Sequence, residues 1–70
     1  MKTRIKEMRI ERGITQKELA EKSNRSERQI IRIENEKSNP NGATLKSIAK
    51  ALNTTVSYLI YESDAKTLKR

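Results

Sequence analysis

The chain has no cysteine, histidine, tryptophan or phenylalanine, and only two tyrosines, two glycines and one proline among 70 residues. Without cysteine it can form neither a disulfide nor a thiolate metal site. Without histidine it has no imidazole ligand and no unperturbed general base near neutral pH. No nucleophile is paired with a base and no two carboxylates mark a cleft, so the sequence does not read as an enzyme, and no metal or cofactor is expected. No aliphatic run exceeds two residues, which excludes a spanning helix, and no signal-peptide core follows Met1; a cytoplasmic protein is expected.

What is present is positive charge. Sixteen Lys and Arg against nine Asp and Glu give a formal charge of +7 and an isoelectric point near 10.1. This balance favours a polyanionic partner, with nucleic acid ahead of a membrane surface. A chain of this length buries only roughly 60% of its unfolded surface, so residues 1–70 are read as one small domain stabilised by aliphatic packing.

The most informative stretch is Thr15 to Glu34, TQKELAEKSNRSERQIIRIE. Thr15 with Glu18, and Ser26 with Gln29, each form a capping-box pattern, in which a hydroxyl accepts a first-turn amide and the N3 side chain reaches back. Two helix starts eleven residues apart, with Ser23, Asn24 and Arg25 between, describe two short helices and one tight turn. Asn24 suits the left-handed conformation that closes the first.

The rest of the chain falls into place around this pair. A helix from Thr3 to Arg12, carrying Ile5 and Met8, ends at Gly13. The second helix runs from Gln16 to Lys22 with Leu19 and Ala20 in the core, and the third from Glu27 to Glu34. Asn35 to Asn41 has no apolar residue and reads as an exposed loop. Asn41 caps a fourth helix, Gly42 to Leu52, with Leu45, Ile48, Ala49 and Leu52 on one stripe and Asn53 closing it. Thr55 caps a short fifth helix bearing Val56, Leu59 and Ile60, and a polar tail, 62–70, is expected to fray.

With these elements placed, the chain resembles the lambda-repressor-like helix-turn-helix family over about residues 4–60. The resemblance rests on Met8-Arg9, ITQKELAEKS, IIRIENEK, the Asn39-Pro40 pair and LKSIAKALNTTVSYLI, in the expected order and spacing. It implies an all-α, compact five-helix domain whose helix-turn-helix occupies about residues 16–35. Three positions depart from the family pattern: Asn24 stands where Gly is frequent, Arg25 where an apolar residue is usual, and Glu36 where Gly commonly follows the third helix. An Arg25 stem can still cover apolar surface. Glu36 adds negative charge to a loop expected near phosphates.

Helix geometry separates the faces of the third helix. At about 100° per residue from Glu27, Ile30 and Ile33 fall near 300° and 240° and mark the buried side. On the same scale Arg28 lies opposite, flanked by Ile31 at about 40° and Arg32 at about 140°. An aliphatic residue between two arginines suits a major groove, where Arg forks onto guanine and an aliphatic group meets a thymine methyl. The resemblance likewise places base contacts on Glu27, Arg28, Ile31 and Arg32. Glu27 also suits the helix dipole with no DNA role.

Backbone contacts are expected around this face. Gln16 leads, at the start of the second helix, where free amides favour an anion and the family uses this Gln as a phosphate clamp. Lys17, Arg25, Ser26, Gln29, Asn35, Lys37 and Asn39 are further candidates, with Gln29 also serving its capping box. Arg9 interrupts the apolar stripe of the first helix and Glu34 lies near the buried line of the third; by resemblance they form an interhelical ion pair.

These readings give a sequence-specific regulator of double-stranded DNA, most simply a repressor or Cro-like switch. It is expected to pair as a homodimer on a palindromic operator. Tyr58, Ile60 and Tyr61 are candidates for the pairing surface, although Tyr58 and Ile60 can equally cap the monomer's own core. The alternative is an antitoxin or adaptor that uses the same fold to hold a protein partner.

Overall fold

In the computed structural model, which describes residues 2–60, five helices follow one another: α1 (Ile5–Glu11), α2 (Gln16–Ser23), α3 (Glu27–Glu34), α4 (Gly42–Ala51) and α5 (Val56–Leu59). Four of them begin at a side chain that accepts a first-turn amide. Thr15 Oγ1 accepts from Glu18 N at 3.0 Å and Ser26 Oγ from Gln29 N at 3.1 Å. Glu18 and Gln29 reach back to the backbone amides of Thr15 and Ser26 at 2.8 and 3.2 Å, completing both capping boxes. Asn41 and Thr55 cap α4 and α5 in the same way, at 2.8 and 3.2 Å. Only α1 lacks a side-chain cap, at Arg4.

The helix ends are equally regular. Gly13, Asn24, Glu36 and Asn53 all adopt positive φ, between 58° and 68°. The residue after each donates to a carbonyl five positions back: Ile14 to Arg9, Arg25 to Ala20, Lys37 to Arg32 and Thr54 to Ala49, at 2.8–3.2 Å. These are Schellman closures, which satisfy carbonyls that the helix end leaves open. Three of the four residues are Gly or Asn, which tolerate the left-handed region; Glu36 does not share that tolerance.

One aliphatic cluster holds the helices together. Ile5 and Met8 of α1, Leu19 and Ala20 of α2, Ile30 and Ile33 of α3, and Leu45, Ile48 and Ala49 of α4 are buried with Leu52 and Leu59. α2 packs on both α3 and α4, and α5 on α4. Each fully buried Leu or Ile contributes about 1.5–3 kcal/mol, and Ile5, Leu19, Ile30, Ile48, Leu52 and Leu59 are all fully buried. Ser23, also buried, satisfies its hydroxyl on the Leu19 and Ala20 carbonyls.

Two features shift the expected boundaries. α1 starts at Ile5 rather than Thr3, because Thr3 pairs with Ile60 in a single antiparallel bridge, with Arg4 N donating to Leu59 O at 2.8 Å. Ile60 consequently lies beyond α5, half-buried against the core of its own chain. Arg4 reinforces this tie, donating from Nε to Tyr58 O at 2.9 Å with its guanidinium 4.9 Å from the Tyr58 ring centroid. Tyr61 and the 62–70 tail lie outside the described residues. No helix among those described is long and apolar enough to cross a membrane.

Candidate nucleic-acid interface

α3 is fixed to the core by two side chains and presents most of the others. Ile30 and Ile33 are buried in the core, whereas Glu27, Arg28, Ile31 and Arg32 are exposed. Ile31 keeps 37% of its surface accessible, so it is not a core residue displaced by a turn of the helix. Its neighbours are the two arginines one and three positions away, and no carboxylate within 4 Å neutralises either arginine among the described residues. The result is an outward stripe of cation, aliphatic group and cation on a helix whose roll is set by the core.

The axial position of α3 is set at its far end. The Glu34 side chain is 1% exposed and receives three donors: Arg9 Nε at 2.7 Å, Arg9 Nη2 at 3.2 Å and Gln16 Nε2 at 3.0 Å. Arg9 Nη1 also donates to Ile14 O at 3.0 Å. A forked guanidinium on a carboxylate is directional as well as strong, so α1 and the start of α2 are held to the end of α3 in one geometry. The Gln16 bond to Glu34 has no signal in the sequence, since periodicity says nothing about residues eighteen apart on different helices. It leaves Gln16 Oε1 uncommitted.

The other backbone-contact candidates are distributed as follows. Lys17, Ser26, Gln29, Asn35, Lys37 and Asn39 are exposed and flank α3 or the start of α2. Ser26 Oγ and Gln29 Oε1 are engaged in the capping box, leaving the Gln29 amide nitrogen as its outward donor. Arg25 behaves differently: it is half-buried, its Nη2 donates to Ser47 Oγ on α4 at 3.3 Å, and its Nε is buried without a partner. The stem thus fills the apolar position of the turn, and its head is directed to α4. Glu36 is exposed in the loop after α3, beside Lys37.

Comparison with known proteins agrees with this fold. A family model described as helix-turn-helix matches residues 5–59, nearly the whole described chain. The chain is also similar to the immunity repressor protein of Bacillus phage phi105, with 44% identity over 59 residues. That alignment covers 84% of this chain and 41% of the phage protein, so the chain spans about two fifths of its relative's length.

Proposed function

Because the chain belongs to the lambda-repressor-like helix-turn-helix family, as its match over residues 5–59 shows, we propose that it is a sequence-specific DNA-binding transcriptional regulator, not an enzyme. More narrowly, it acts as a repressor or Cro-like switch with α3 in the major groove. The observation that carries this reading is the outward stripe of α3, with Arg28, Ile31 and Arg32 exposed opposite a buried Ile30 and Ile33. Arg28 and Arg32 are suited to guanine edges, Ile31 to a thymine methyl, and Glu27 to a cytosine amine or to orienting Arg28.

Positioning on the duplex then falls to the flanking groups. Gln16 and Lys17 at the start of α2, Ser26 and Gln29 at the start of α3, and Asn35, Lys37 and Asn39 after it are placed to meet phosphates, which set register without reading sequence. The tie from Glu34 to Gln16 holds the leading clamp residue in place before DNA arrives. Arg25 is left out of this set, since its guanidinium is turned to Ser47. One α3 covers only a few base pairs, so two copies on a palindromic operator, with half-sites about one helical turn apart, supply the affinity. The similarity to a phage immunity repressor supports the repressor role.

The test is selection of bound duplexes from a random pool, repeated at several salt concentrations. The expected result is a palindromic consensus and a log affinity that falls linearly with log salt, with a slope of about 0.9 per phosphate neutralised. Equal binding to every sequence would overturn the reading.

A further inference from the structure

We propose that a cationic trough along α4, reaching from the C-terminal end of α2 to the start of α5 and apart from the α3 face, docks an extended acidic segment of a second protein. The trough consists of two adjoining hollows of about 350 and 270 Å³ that share Lys50. Lys46 and Lys50 line the first and Lys22 and Lys50 the second, and neither contains an acidic residue. The two α4 lysines are one helical turn apart, on the same side of the helix and away from the buried Leu45, Ile48 and Leu52.

Two observations set this apart from an ordinary solvated face. First, no acidic residue occurs from Lys37 to Ile60, so α4 and α5 carry no carboxylate of their own to neutralise these lysines. Second, none of the three forms an ion pair among the described residues, whereas the partly buried Arg9 is paired with Glu34.

The shape favours a peptide over a duplex. Ala49, Ala51 and Val56 form apolar patches between the lysines. Alternating small aliphatic and acidic side chains of an extended segment can meet both surfaces at once, the side chains of a strand projecting in turn to opposite sides. A phosphate backbone meets the cations but gains nothing from the apolar groups beside them. Electrostatic complementarity of this kind chiefly sets encounter rate and partner choice. The proposal stands independently of what α3 reads.

The experiment titrates the isotope-labelled full chain with a synthetic peptide of alternating Glu and Ala at near-physiological ionic strength, following backbone amide shifts. Saturable shifts confined to residues 22–25 and 46–56 are expected, and they persist when the chain is loaded with duplex DNA. Lys50→Glu should weaken the peptide about fivefold, the scale of losing one exposed ion pair, while Lys6→Glu, of equal charge change on α1, leaves it within about twofold. The same spectra report that each variant is folded. Absence of saturable shifts, equal weakening by both variants, shifts centred on α3, or displacement of the peptide by duplex DNA would each overturn the proposal.

Discussion

Replacing Arg9 by Ala removes two of the three donors on the Glu34 carboxylate, which is 1% exposed. Breaking one side of a buried pair costs about 3–5 kcal/mol because a charge is left without compensation. Gln16 remains on Oε1, which places the expected loss near the lower end, about 3 kcal/mol in urea unfolding. A change near zero would show that the pair contributes nothing net. Glu36 raises the opposite prospect. It holds φ at 60°, which costs a residue with a Cβ about 1–2 kcal/mol, and it places an acid in the loop after α3. Glu36→Gly should therefore raise stability by about 1 kcal/mol. It should also tighten duplex binding, whereas Glu36→Gln should tighten binding with little gain in melting temperature. Equal effects of the two variants on stability would contradict the backbone explanation.

Among the helices, the capping boxes of α2 and α3 are two separate devices built on Thr15 and Ser26. Thr15→Ala and Ser26→Ala should each destabilise by about 1 kcal/mol. Since the caps share no partner, the double variant should lose their sum within about 0.5 kcal/mol, as measured by chemical denaturation. Both boxes were legible in the sequence, as were the α3 limits, the left-handed Asn24 and Asn53, and the buried stripes of α3 and α4, because each depends on residues within a few positions of one another. Contacts between distant segments were not. The Thr3–Ile60 bridge, the donation from Arg12 Nε to Leu52 O at 2.6 Å, and the bonds from Gln16 to Glu34 and from Arg25 to Ser47 join segments whose meeting depends on the tertiary arrangement. Arg25 shows the limit most clearly: its charge suggested phosphate, but its position in the turn buries the stem and points the head to α4. For Arg9 and Glu34 the family resemblance supplied what periodicity could not.

At the scale of the whole molecule, a small aliphatic core supports two separate cationic surfaces. The α3 face sets cations beside an exposed aliphatic residue; the trough along α4 sets lysines beside small apolar groups. The pairing of two copies on DNA is part of the proposed function. Ile60 is half-buried against its own core and Tyr58 is 54% exposed beside Arg4, so of these two Tyr58 offers more surface to a partner copy. The central claim is that α3 reads base sequence while its flanks hold the backbone, and it separates two kinds of residue. The most direct measurement compares wild type, Arg28→Ala and Gln16→Ala across all single-base variants of the selected operator. Arg28→Ala should relax the preference at one base pair and cost about 1–3 kcal/mol there, while Gln16→Ala weakens all sites alike. Uniform weakening by Arg28→Ala, with every base preference retained, would contradict the account.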